Sequence, residues 1–203
     1  MRIIVIGAHP DDFELGMAGT IMKHVEAGDE VHAIIASAGE VIGLGEQRKK
    51  EAVNSSRFLG IKSTTFLNIP DTMITDGKPT IDKIERQIKR IMPDRIYTHS
   101  INDTHQDHRN LSRATLSAAR RVKQVIFYES PSTDVHFEAN FFVDIEKYID
   151  KKIKCLLMFE SLHKMGDRRY LEIDAIKGGA YFRGYQCNRK YAEAFKVFRY
   201  LED

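Results

Sequence analysis

The sequence predicts an α/β fold, a mostly parallel sheet with helices on both faces. Three observations predict it. Short β-branched runs alternate with longer amphipathic stretches, in the order strand, loop, helix, four times over. The first run, Ile3-Ile4-Val5-Ile6, is apolar at every residue, as a strand buried on both faces must be. Glycine stands just past the first two helices, at Gly28 and Gly60, where a left-handed C-cap favours it.

The elements follow in order. Residues 2–6 are too few and too β-branched for a helix and read as the first strand. A polar loop occupies 8–14, and a helix runs over 17–27. Residues 31–36 are a second strand, 37–45 a glycine-rich loop and 46–59 a helix. A short strand at 64–67 precedes a helix at 79–92, whose Ile81, Ile84, Ile88 and Ile91 make one apolar stripe. Residues 95–97 are a strand, 99–108 a loop, 109–121 a helix and 124–128 a strand. Beyond Ser130 the pattern weakens: a strand at 141–144, helices at 145–160 and 167–181, and a late strand at 194–198. No repeat or linker interrupts the chain, and its length suits one domain over 1–203.

Composition excludes several classes. Lys and Arg total 31 against 29 Asp and Glu, so no long-range field favours nucleic acid. The two cysteines, Cys155 and Cys187, make neither a disulfide framework nor a cysteine zinc site. No uncharged window of about 20 residues exists for a transmembrane helix. The four-residue apolar run near the N-terminus is shorter than a secretory core of roughly 7–15 residues. The expected location is the cytoplasm.

Two polar clusters carry the chemistry. In an open α/β sheet, ligands bind outside the carboxyl ends of the strands. Ala8-His9-Pro10-Asp11-Asp12-Phe13-Glu14 follows the first strand, and Asn102-Asp103-Thr104-His105-Gln106-Asp107-His108 follows the fourth. Pro and Asp also favour turns and helix N-caps, so either loop alone could be a solvated turn. Together at one sheet edge they would share a crevice. His9, Asp12 and His108 are a two-imidazole, one-carboxylate ligand set with room for water, suited to catalytic zinc and equally to a non-haem iron triad. Asp11 is then free to act as a base, and Asp107 is spaced to orient and charge His105. No GxSxG elbow, P-loop or GxGxxG fingerprint is present.

These residues resemble the PIG-L/LmbE family of zinc-dependent N-deacetylases. The likeness rests on His9-Pro10-Asp11-Asp12 and His105-Gln106-Asp107-His108. Gly16-xx-Gly19-Thr20, Ser37-Ala38-Gly39-Glu40, Arg48-xx-Glu51 and Tyr128-Glu129-Ser130-Pro131 extend it over residues 1–131. The resemblance implies a Rossmann-like fold and hydrolysis of the acetamide of an N-acetylglucosamine-type sugar. It implies one zinc per chain on His9, Asp12 and His108, Asp11 as general base, and His105 as electrostatic or acid group oriented by Asp107. Glu40, Arg48 and Asp71 match positions that contact the sugar; Arg48 could equally be a solvated residue of its charged helix. Family members are often oligomeric, although no interface is legible here. The C-terminal third departs: Phe159 and Leu162 flank Ser161 where many members carry His and Gln. Two alternatives stay open: a metal-dependent amidase for a non-sugar acylated amine, and a non-catalytic sugar- or nucleotide-binding module. Retention of both Asp11 and His105 speaks against the second.

Overall fold

The structure, a computed structural model, describes residues 1–164, 166 and 168–202. Seven strands form one sheet in the order β3-β2-β1-β4-β5-β7-β6. These are β1 (Arg2–Gly7), β2 (Glu30–Ile35), β3 (Ser63–Phe66), β4 (Arg95–His99), β5 (Gln124–Tyr128), β6 (Phe141–Asp144) and β7 (Ala192–Tyr200). The first five are parallel, with Ile3 beside Val31 and Arg95, and Ile96 beside Val125. β7 runs antiparallel between β5 and β6, placing Phe195 beside both Tyr128 and Phe141. The mostly parallel sheet expected from the sequence is therefore present.

Helices cover both faces. α1 (Asp12–Glu26), α2 (Gly45–Leu59) and α5 (Ile149–Leu156) lie on one, where Ile3, Val5, Phe13, Met17, Tyr97 and Phe195 form a core. α3 (Lys78–Ile91) and α4 (Gln106–Ala118) lie on the other, over Ile4, Ile6, Ile34, Ile84 and Leu111. Alternate residues of β1 thus serve opposite cores, which is why the whole strand had to be apolar. Each fully buried aliphatic side chain contributes about 1.5–3 kcal/mol relative to exposure.

Several boundaries differ from the sequence reading. α1 begins at Asp12, five residues early, because Asp11 adopts a left-handed conformation (φ 104°) and launches the helix; a non-helical Met17 interrupts it. β4 runs on to His99, and α4 begins at Gln106 with His105 as its N-cap. The helix expected over 145–160 is broken. A 3-10 turn at Glu146–Tyr148 leads into α5, and a separate α6 spans Glu160–His163. The break lets Phe159 and Leu162 turn fully into the core, while the Glu51 carboxylate accepts from the Ser161 backbone N–H at 3.0 Å. The next helix, α7, covers Ile173–Gln186 rather than 167–181; the expected start, Asp167, lies outside the described residues.

A buried ion pair ties the late elements to the first half. Lys152 of α5 donates to Glu193 of β7 at 2.7 Å, and Glu193 also accepts the backbone N–H groups of Gly19 and Thr20. Such a pair fixes register more than it adds stability.

Candidate metal centre

The strand order reverses between β1 and β4, and loops diverging from two neighbouring strands leave a crevice at their carboxyl ends. That crevice, of about 340 Å³, is lined by His9, Asp11, Asp12, Arg48, Asp71, His105 and His108 among others. The two clusters, about a hundred residues apart in the chain, meet here.

Each imidazole is held from behind. His9 Nε2 lies 3.1 Å from Asp71 Oδ1 and 3.2 Å from Asp107 Oδ2. The other ring nitrogen, Nδ1, lies 3.8 Å from Asp12 Oδ2 and would lose its proton when a cation takes that place. His108 is arranged the other way round: Nδ1 lies 3.2 Å from Asp103 Oδ2, and Nε2 lies 3.3 Å from Asp12 Oδ1. Ser130 Oγ donates to Asp103 Oδ2 at 2.8 Å and completes the chain of support. Metal-binding histidines characteristically carry such a carboxylate on the nitrogen that does not bind. Burial works against charge on both rings, yet the carboxylates outweigh it and hold His9 up to about 9 and His108 up to about 10. Asp12 is buried too, but His108 and His99 pull its carboxyl well below the usual range. Buried Asp107 Oδ1 has no hydrogen-bond partner among the described residues. A divalent cation fits this donor set: it would answer the excess of buried carboxylate and displace the protons those carboxylates hold on the two imidazoles.

The ligand atoms fall into overlapping groups. His9, His105 and His108 have donors within 4.8 Å of one another, and so do Asp12, His99 and His108. The expected set of His9, Asp12 and His108 spans the two. His99 was not singled out in the sequence. Its Nε2 lies 3.0 Å from Asp12 Oδ2 and 3.0 Å from Tyr128 Oη, and its ring stacks on His108 at 3.9 Å. Burial, reinforced by the His108 cation, pushes it down to about 4, so it is neutral. Its one signal was position, at the carboxyl end of a buried strand.

Asp11 sits beside the ligands. Burial and then the Asp12 charge push it up to about 7, with Arg48 opposing. Its left-handed backbone is unusual for a residue with a side chain and marks local strain. Arg48 is not solvated: it is buried, donating to Pro10 O at 2.9 Å, Asp11 Oδ1 at 3.3 Å and Gly39 O at 3.3 Å. It therefore anchors the loop that carries Asp11. Gly39 (φ 66°) makes this reachable, since a Cβ there would stand 1.8 Å from Arg48 Nη1.

The expected link between Asp107 and His105 takes a different form. The Asp107 carboxylate serves His9 and the Thr72 backbone N–H, at 3.2 and 3.0 Å. Only the Asp107 backbone N–H reaches His105, donating to Nδ1 at 3.2 Å. The turn starting α4 points the two side chains apart. Burial first, then the His108 and His9 charges, lower the His105 value. His105 stands exposed at the mouth as a neutral imidazole, with Nε2–H available to donate.

Asp71 and Glu40 are largely occupied. Asp71 supports His9 and accepts from the Val41 N–H at 3.3 Å. Glu40 accepts from the Asp71 N–H at 2.9 Å and from Ser37 Oγ at 3.1 Å; it lines a neighbouring depression, not the crevice. Arg168 and Tyr170, from the divergent C-terminal third, do line it. No periodicity or motif pointed to them.

A Rossmann-like sheet with a candidate histidine–carboxylate metal site at its switch point is the arrangement this fold offers for hydrolytic chemistry. The chain belongs to the PIG-L family: residues 4–119 match the family of GlcNAc-PI de-N-acetylases. It is 32% identical over 167 residues to the uncharacterized deacetylase YaiS of Escherichia coli (strain K12), covering 78% of this chain and 90% of that one. It is 26% identical over 194 residues to the diacetylchitobiose deacetylase of Thermococcus kodakarensis, covering 79% and 69%. The crystal structure of the conserved protein TT1542 from Thermus thermophilus superposes with a TM-score of 0.88 at 26% identity, covering 99% and 96%.

Proposed function

We propose that this chain is a zinc-dependent N-deacetylase. It would remove the acetyl group from an N-acetylglucosamine-type sugar or glycoconjugate and release acetate. The observation that carries the reading is the inward convergence of His9 Nδ1 and His108 Nε2 on the Asp12 carboxylate, each ring held from behind by a second carboxylate. Family membership supplies the amide-hydrolysing chemistry. A metal on His9, Asp12 and His108 would polarise an acetamide carbonyl and make water acidic near neutral pH.

The chain's own groups do the rest. Asp11, poised near neutrality, accepts the proton of the attacking water and returns it to the departing amine. His105 Nε2–H faces the developing oxyanion as a neutral donor. Arg48 fixes Asp11. His99 and Asp103 hold Asp12 and His108. The same reading takes residues 1–203 as one catalytic domain in the cytoplasm; no helix among the described residues is long and apolar enough to cross a membrane.

The test is an acetate-release screen combined with metal analysis. Its substrates are N-acetylglucosamine, an N-acetylglucosaminyl lipid, a thiol glycoside, a sugar nucleotide and N-acetylated non-sugar amines. Metal-dependent release from a sugar supports the proposal. Release from the non-sugar amines alone, or from nothing with metal bound, overturns it.

A further inference from the structure

A second cavity, of about 560 Å³, opens at the other end of the sheet. Arg95, the first residue of β4, lines it, whereas His99, the last, belongs to the metal centre. Four residue steps along the strand separate their Cα atoms by about 13 Å. The cavity lies outside the proposed chemistry.

Its cations are not balanced. Arg95 is only 8% exposed, yet among the described residues no carboxylate pairs with it. Nε donates to Gln124 Oε1 at 2.7 Å and Nη1 to Tyr97 Oη at 3.0 Å, both neutral acceptors. Nη2 has no protein partner among the described residues and is not sealed from solvent. The guanidinium carbon lies 5.7 Å from the Tyr97 ring and 5.8 Å from the Tyr200 ring. The group is thus held rigid with one donor edge free. Lys23, also on the cavity, donates to the Asp144 carbonyl at 3.2 Å and to no carboxylate among the described residues. The one lining carboxylate, Asp144, is paired with Arg189 at 3.3 Å. Nearby Asp29 is taken up by the N-terminal ammonium and His24. A guanidinium taken from water without a counter-ion carries a desolvation penalty that a bound anion offsets.

We propose that this cavity binds a small organic oxyanion, a carboxylate or phosphate ester carried on a flat apolar body. The oxyanion meets Arg95 Nη2 and the Lys23 ammonium, a charge-assisted pairing for which an Arg fork is suited. The flat body lies against Phe141 and Val143, which form the apolar wall.

The test is calorimetric titration of the metal-loaded, full-length protein with phenyl phosphate, benzoate, inorganic phosphate and phenol. At least one aryl anion binds saturably, about 10-fold or more tighter than inorganic phosphate or phenol. The tighter of the two aryl arms identifies the headgroup. Arg95→Met weakens that binding about 10-fold or more while acetate release stays at the parent level. Should Arg95→Met fail to fold, Lys23→Met, at an exposed position, weakens binding several-fold. Anions held at the metal centre would be untouched by either substitution. The proposal is overturned if neither aryl anion binds, if inorganic phosphate or phenol binds as well as they do, or if the folded variants bind like the parent.

Discussion

The Asp107 carboxylate lies 3.2 Å from Nε2 of His9, a residue 98 positions away, and Asp107 meets nearby His105 through its backbone N–H instead. Through His9 it would act on the proposed metal centre. Asp107→Asn should weaken metal binding by roughly 10–100-fold, the usual effect of losing a carboxylate behind a ligating histidine. Chelator competition measures this, and saturating metal should restore much of kcat. If Asp107 instead charged His105, metal affinity would be unchanged and only the pH profile would move.

The adjacent aspartates have separable roles. Asp11→Asn should keep its metal and lose acetate release by about 10²–10⁴-fold, as expected for a general base. Asp12→Ala should lose the metal itself. Metal content and turnover on the two purified variants decide the matter, and exchanged behaviour would reverse the assignment.

Dialysis against a strong chelator should remove about one metal per chain and abolish acetate release. Zinc or cobalt should restore it. Full activity in protein shown to be metal-free would end the hydrolase mechanism proposed above.

Gly39→Ala tests the path from Arg48 to Asp11. The added carbon meets the guanidinium, and the left-handed backbone disfavours any Cβ. A loss of at least about 1 kcal/mol of stability is expected. Acetate release should fall beyond what the folded fraction accounts for, because Arg48 can no longer hold Pro10 and Asp11. Normal turnover by the folded variant would make Arg48 incidental to the base.

Stability should fall on the acid side in two stages, from groups remote from the metal. Burial lowers the His24 value below 6.5, only partly opposed by Asp29, so the folded state prefers the neutral ring. The unfolded chain then binds more protons, and stability declines as pH falls from about 6.5 through the folded value. Asp29 follows lower down. Burial raises it, but hydrogen bonds from the N-terminal ammonium and His24 outweigh that and lower it below 3.8. Its contribution is present above 3.8 and is lost as pH falls through the lowered value. His24→Gln should flatten the first stage in melting curves taken between about pH 8 and pH 5. An unchanged slope would assign that stage elsewhere.

Much of this molecule was legible in its residues. The apolar Ile3–Ile6 run, the isoleucine stripe of α3 and the glycine C-caps act over one or two turns of chain, so local pattern suffices to read them. His9, Asp11, Asp12, His105 and His108 were readable because the carboxyl edge of a parallel sheet is where loops converge. Tertiary structure alone decided which nitrogen of each ring is turned toward Asp12. That depends on Asp71, Asp103 and Asp107 arriving from other loops. It also drew in His99, read as the start of a loop but in fact the end of β4, and made Arg48, readable equally as a sugar contact or a solvated charge, a buried anchor. It broke the helix expected over 145–160, because burying Phe159 and Leu162 outweighed continued helical bonding. Local pattern determines which elements form and where polar clusters fall. Partners dozens of residues apart are set by how those elements pack, which no short window of sequence contains.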